Sequence, residues 1–235
     1  MSREIKVRGI ILKKQELFEA DEIITFYTKE LGKIRAKAVS VKKSKSRLLG
    51  SLLNMSEVSV RLVGSEHLRI IAGASVENSH SGAWASTEKM HFFYWLAETI
   101  IKATPDEVPD PQVFLLLKKV LRILGYKEFS ASSIRVLFCY TALRLVDFLG
   151  FAITIPEISL SRPGFSMSSG GIVERSESPD AIAVSGQLVE DLHLLSGSTS
   201  DELPGFLASS DELKDLLLSY VSFQIERSVH SGRYI

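Results

Sequence analysis

The amino-acid sequence predicts an α+β chain in which a small five-stranded β-barrel precedes a larger α-helical domain. Two observations lead there. Hydrophobic alternation of period two, rich in β-branched residues, runs through about the first eighty residues and then gives way to a helical period. Positive charge is also concentrated ahead of that change. Residues 1–80 hold fifteen Lys/Arg against nine Asp/Glu, while the rest of this 235-residue chain of zero net charge holds thirteen against nineteen. Such asymmetry hints at a polyanion-binding segment joined to a part with another role. The expected domains are residues 1–80 and 81–235.

Five strands are expected, over residues 5–14, 22–29, 33–41, 56–63 and 67–76, with turn residues between them. A Greek-key barrel is one of the few arrangements that accommodates five short strands in so small a domain, and barrels of this kind commonly bind oligonucleotides. Helices are expected over 84–103, 111–125, 133–150, 185–197 and 209–229. Pro111 suits a first turn, Gly125 and Gly150 suit C-terminal stops, and a Ser/Asp cap with Glu212 close behind opens the last helix. The Ser/Gly/Pro-rich insert at 156–184 is expected to hold at most two short strands, FSMS and AIAVS. Ser168–Gly171 within it reads as a hairpin turn.

From Lys29 to Arg47 there are eight basic residues and one acid, Glu30. Lys33, Arg35 and Lys37 alternate along one strand and so share a face. Lys42, Lys43, Lys45 and Arg47 extend that face into the following loop, interleaved with Ser40, Ser44, Ser46 and Ser51, while Arg8 and Lys13 are expected neighbours. A row of cations with hydroxyls between them displaces counterions from a phosphate backbone and gains affinity without reading bases. Nonspecific nucleic-acid binding is the reading this pattern favours over a merely solvated loop. Phe26 and Tyr27 are adjacent and point to opposite faces, so at most one of them lines a groove.

Signatures of catalysis are absent from the sequence. There is no phosphate-cradling glycine loop, the five histidines are scattered, and Cys139 lies in an apolar helix where a buried, inert thiol is expected. Asp106, Glu107 and Asp110 sit among prolines as an interhelical loop. A single cysteine excludes an internal disulfide and a multi-cysteine zinc site, and fits a reducing, cytosolic setting. With no signal-peptide pattern and no apolar run of about 20 residues, a soluble cytoplasmic protein without enzymatic turnover is expected.

The run GIILKKQELFEADEIITFYTKELGKIRAKAVSVKKSKSRLLGSL, residues 9–52, resembles the N-terminal domain of the RecO family of bacterial recombination mediators. The resemblance lies in a first strand, a Glu-x-Asp turn at Glu19–Asp21, the phrase Thr28-x-Glu30-x-Gly32 and a basic Ser-Lys-Ser-Arg-Leu loop. PDPQVFLLL (109–117), LRLVDFLGF (143–151) and RSVHSGRYI (227–235) resemble later phrases of that family. This implies an N-terminal OB-fold barrel, binding of single- and double-stranded DNA, and annealing of complementary strands. It also implies assistance, with the partner RecR, in loading RecA onto DNA coated by the single-strand-binding protein (SSB). An acidic, apolar SSB tail would be received by the helical domain, for which Lys118, Arg122, Arg135 and Arg144 are the candidate cations.

Many members of that family carry a zinc module in the second domain, built on two Cys-x-x-Cys pairs. Here the corresponding slots hold Leu160, Pro163, Glu174 and Glu177, so thiolate ligation is impossible and no zinc cofactor is expected. Packing and turn chemistry must hold the 156–184 segment instead, and it is expected to be the least stable part of the second domain. An RNA-binding barrel and a purely protein-binding adaptor are the alternative readings. The adaptor leaves the basic face without a purpose.

Overall fold

A computed structural model describes residues 4–17, 19–43, 46, 48, 50–65, 68–126, 129–203, 205, 207–208 and 210–225. It divides into two compact units, Met1–Lys127 and Glu128–Ile235. The division follows the second long helix, whereas the change in sequence pattern falls near residue 80. The first unit therefore combines the barrel with two helices, because a loop between those helices is built into the barrel wall.

The five expected strands form: β1 (Ile5–Glu16), β2 (Glu22–Thr28), β3 (Gly32–Ala38), β4 (Glu57–Ser65) and β5 (Leu68–Asn78). They close into a barrel in the order β1-β2-β3-β5-β4, the five-stranded topology of the OB-fold. β1 is long enough to serve two neighbours. Its first half pairs with β4 from Ile5↔Leu62 to Ile10↔Glu57, and its second half pairs with β2 from Gly9↔Thr28 to Glu16↔Glu22. Register shifts at Ile11/Lys13 in β1 and at Glu57/Val58 and Arg61/Leu62 in β4 supply the local bending that closure requires. The alternating residues Val7, Ile11, Ile24, Phe26, Ile34, Ala36, Val58, Val60 and Leu62 fill the interior. Each large aliphatic side chain buried there contributes about 1.5–3 kcal/mol.

The seam between β3 and β5 is the short side of the barrel. These strands run parallel and share one register pair, Lys37↔Ile70. The loop joining α1 (Thr87–Ala103) to α2 (Pro111–Tyr126) lies across this seam. The Glu107 amide donates to the Lys33 carbonyl at 2.9 Å, Asp106 forms a parallel bridge with Lys33, and the Glu107 carboxylate pairs with Arg69 on β5. Lys33 reaches the other way, donating its ammonium to the carbonyls of Ile101 and Thr104 at 2.6 Å each. A lysine at the C-terminal end of a helix satisfies orphan carbonyls and complements the helix dipole. Asp110 accepts from the Gln112 amide at 2.8 Å and so caps α2 ahead of Pro111.

The second unit contains α3 (Ala131–Phe148), a small sheet, α4 (Gly186–Gly197) and α5 (Ser210–Gln224). Gly150, with φ 85°, ends α3 as its glycine pattern predicts, and the Phe151 amide returns to the Val146 carbonyl at 2.8 Å. Glu212 departs from the expected cap. Its carboxylate accepts from the Ser185 amide at 2.9 Å and the Ser185 hydroxyl at 2.6 Å, and thus fastens the start of α4 to the start of α5. The insert holds three strands where at most two were expected: β6 (Pro163–Ser166), β7 (Gly171–Glu174) and β8 (Ile182–Ala183), in the order β7-β6-β8. GIVE is too short to show alternation, and only pairing with β6 makes it a strand. Cys139 is fully buried and its thiol is pushed up to about 12 by loss of solvent, so it is inert as expected.

Gly32 marks the approach of the interhelical loop to the barrel. Its φ is +66°, and a Cβ there would lie 2.2 Å from the Val108 carbonyl oxygen. Gly32→Ala should therefore cost about 2–4 kcal/mol in urea unfolding, by backbone strain together with undocking of the loop.

Candidate nucleic-acid interface

The barrel wall formed by β1, β2 and β3 brings the predicted cations onto one outer surface. Lys13 pairs with Thr25 and Thr25 with Arg35, so Lys13, Thr25 and Arg35 stand in one row across three strands. The adjacent row is Gln15, Ile23 and Lys37. Neighbouring strands are about 4.8 Å apart, which puts the Lys13 and Arg35 backbones about 10 Å from each other. Lys13 is exposed, and 65% of the Arg35 side chain is accessible. The alternation read from the sequence is thus the alternation of the wall, with Ile34, Ala36 and Ala38 pointing inward.

Beyond β3 the chain is held before it enters the basic loop. Ser40 takes φ 52°, and its amide donates to Asp21 at 2.7 Å. Val41 is buried in the barrel core, the Lys42 amide donates to the Ala20 carbonyl at 3.3 Å, and the Lys43 side chain is exposed. The Glu-x-Asp turn therefore sets the exit direction of the loop. Lys45, Arg47 and Ser44 lie outside the described residues.

Carboxylates distant in sequence are placed against these cations. Asp106 lies 3.2 Å from Lys33 and 3.1 Å from Arg35, Asp21 lies 2.8 Å from Lys37, and Glu16 pairs with Lys42. The Arg8 amide donates to Glu30 at 2.9 Å, with its guanidinium 3.9 Å away. Hydrogen bonding and charge from Lys42 lower the Glu16 carboxyl, and hydrogen bonds from Lys37 and the Ser40 amide lower that of Asp21. Burial pushes the Asp106 carboxyl up, but Lys33 and then Arg35 outweigh it and leave it below its ordinary value. The cluster of positive charge in the sequence is therefore partly compensated on the folded surface. Asp106 is the residue that sequence reading missed, since it lies 71 positions from Arg35.

Neither adjacent aromatic offers a face to a base. Phe26 is 1% exposed in the barrel interior, and Tyr27 is fully buried on the other side of the wall, its phenol pushed up to about 12 by loss of solvent. Phe18 lies outside the described residues. The cations of the described surface present the charge that phosphate oxygens accept.

The four candidate cations for a protein tail are divided between the units. Lys118 and Arg122 are exposed on α2, where Lys118 pairs with Glu57 at 2.6 Å. Arg135 and Arg144 are on α3 in the second unit. Arg135 pairs with Asp211, while Arg144 stacks over Tyr140 and donates to the Ser196 and Ser198 carbonyls at 2.9 Å each. Arg144 is thus committed to the C-terminal end of α4.

The residues in the zinc slots do not fit that ion. Glu174 accepts from the Ser161 and Arg162 amides at 3.0 and 3.2 Å, so its carboxylate joins the turn before β6 to β7. Asp180 gathers the hairpin in the same way, accepting from the Ser166 and Ser178 hydroxyls at 2.8 and 2.7 Å and the Ser168 amide at 3.0 Å. Those bonds, the Ser178 hydroxyl first, hold its carboxyl well below the usual range. Among the described residues, no three His, Cys, Asp or Glu side chains are grouped to hold a metal. No helix among them is long and apolar enough to cross a membrane.

Family models for the recombination protein O N terminus and C terminus match residues 1–80 and 86–233. A protein of Clostridium perfringens described as DNA repair protein RecO is 24% identical over 97% of this chain and 94% of its own length. One of Exiguobacterium with the same description is 27% identical over 90% and 86%. One of Gloeothece citriformis is 28% identical over 75% of this chain, and the match spans 66% of that relative's length.

A lowered carboxyl stabilises the fold above its unfolded pKa, and that contribution is lost as pH falls through the lower folded value. For Asp21, whose ordinary value is 3.8, the loss begins near that pH and continues below it. Thermal unfolding followed across pH 2–6, a range set by these carboxyl values, should show a steep fall in Tm below about pH 4 that Asp21→Asn makes shallower.

Proposed function

The chain belongs to the recombination protein O family, and on that premise we propose that it is a DNA-repair mediator whose barrel wall binds backbone phosphates through Lys13, Arg35, Lys37, Lys42 and Lys43. Lys45 and Arg47 extend this set from the sequence, and Arg8 lies on the same outer side of β1. The observation that carries the reading is that exposed Lys13 and Arg35 flank buried Thr25 in one row across β1–β2–β3, with half-buried Lys37 beside it. The β2–β3 face of an OB-fold and its loops are where this architecture binds oligonucleotides. Lys33 acts from below the surface, positioning β3 through its hold on the end of α1.

Annealing follows from the physics of such a wall. Two strands brought to one cationic surface repel each other less and are concentrated together, and base pairing completes the reaction without any catalytic group. No cofactor enters this account, and neither does an enzymatic step. Direct recognition of RecR and of the SSB tail, and through them the loading of RecA, belongs to the same reading. A tail that is both acidic and apolar suits the solvent side of α2, where Leu115 is 61% exposed and Lys118 and Arg122 follow on the same face. Arg135 on α3 is a further candidate. The place of action is the cytoplasm, where the DNA is.

A labelled single-stranded oligonucleotide followed by anisotropy across a salt series tests the phosphate reading. With about four to six contacts, the log-log slope should be about −3 to −4, and changing Lys42, Lys43, Lys45 and Arg47 together to Ser should lower both affinity and slope. Equal binding by the two proteins would refute it. Competition by RNA of the same length separates DNA from RNA as the preferred ligand. Metal analysis of the purified protein should find far less than one zinc per chain.

A further inference from the structure

We propose that Asp106 occupies the place of a DNA phosphate in the free protein, covering Lys33 and Arg35 until a strand displaces it. The proposal rests on the phosphate-binding reading above and names the group that regulates it. One carboxylate meets the two cations with one oxygen each, Oδ1 at 3.2 Å from Lys33 and Oδ2 at 3.1 Å from Arg35. A phosphodiester presents its two unbridged oxygens in the same manner.

The contact is built to exchange. Arg35 and Asp106 are 65% and 49% exposed, and an ion pair so open to water is weak. The loop does not depend on it. The Glu107 amide holds the Lys33 carbonyl at 2.9 Å, the Glu107 carboxylate holds Arg69, and Val108 lies against Gly32. Rotation of the Asp106 side chain therefore uncovers Arg35 while the backbone stays docked. Lys33 cannot follow, because the Ile101 and Thr104 carbonyls take two of its three donors. Arg35 is the cation that changes partner.

Asp21 stands near Lys37, but it is placed differently. Asp21 is locked by the Ser40 amide at 2.7 Å and shapes the chain's exit from β3. Among the described residues, the Asp106 carboxylate accepts no comparable backbone bond. A strand that engages several cations at once can drive it aside, whereas an isolated anion meets its charge at close range and is repelled. The surface thus favours a polyanion over single anions by more than the count of its cations would give.

The experiment compares binding of a single-stranded oligonucleotide by the native protein, Asp106→Asn, Arg35→Gln and the double variant. Glu190→Gln, an exposed change on α4, serves as the control for net charge. Asp106→Asn should tighten binding by about three- to tenfold at low salt, more than Glu190→Gln does, and the gain should shrink to less than about twofold when Arg35 is Gln. It should also raise the affinity for inorganic pyrophosphate, used as a competitor, by a larger factor than for the oligonucleotide. Should the Asn variant fail to fold, Asp106→Ser must give the same gain. An unchanged or weaker affinity in a folded Asp106 variant overturns the proposal, as does a gain equal to that of Glu190→Gln or one that survives without Arg35. Native binding indifferent to Arg35→Gln would likewise overturn the proposal, whereas the phosphate reading itself stands or falls with the variant that changes Lys42, Lys43, Lys45 and Arg47 to Ser.

Discussion

The first unit depends on how a barrel closes along its weakest seam. β3 and β5 run parallel with a single register pair, too little to hold two strands by their own ladder. The α1–α2 loop supplies the remainder, with Glu107 joined to the β3 backbone and to Arg69 on β5, and with Lys33 returning from β3 to the end of α1. Gly32 is what lets the loop lie so close. Because Lys33 and Arg35 alternate on one face of β3, the arrangement that closes the barrel also fixes where an exposed guanidinium stands. Barrel closure and the proposed phosphate surface share one strand and one loop.

That sharing explains the mixture of charges on the wall. A strand of alternating Lys and Arg beside β2 would repel itself if left alone, and the carboxylates of Glu16, Asp21 and Asp106 relieve the repulsion. They do so to different degrees of permanence. Asp21 is part of a turn, whereas the Asp106 carboxylate meets Lys33 and Arg35 on an exposed surface.

In the second unit, carboxylates take a different task. Glu174 joins the turn before β6 to β7 through the Ser161 and Arg162 amides, and Asp180 gathers the serines of the hairpin. Hydrogen bonds to charged acceptors are stronger than neutral ones. Phe165 packs edge-on against Tyr220 of α5 beneath them, with ring centroids 5.1 Å apart, so the little sheet also has an apolar attachment.

The sequence by itself determined every strand of the barrel, the expected helices, the inward and outward faces of β3 and the inert state of Cys139, because each follows from local periodicity or from a single residue in an apolar run. Pro111 and Gly150 were equally legible, since a φ restriction acts where the residue stands. Only the tertiary structure decided that GIVE is a strand, that Glu212 serves the start of α4 and that Arg144 closes its end. It alone placed Asp106 over Arg35. These are contacts between residues tens of positions apart, and hydrogen bonds and ion pairs leave no periodic trace in a chain. Charge counted along the sequence gave a surplus, whereas charge in space depends on which distant carboxylates the barrel and its loop bring home.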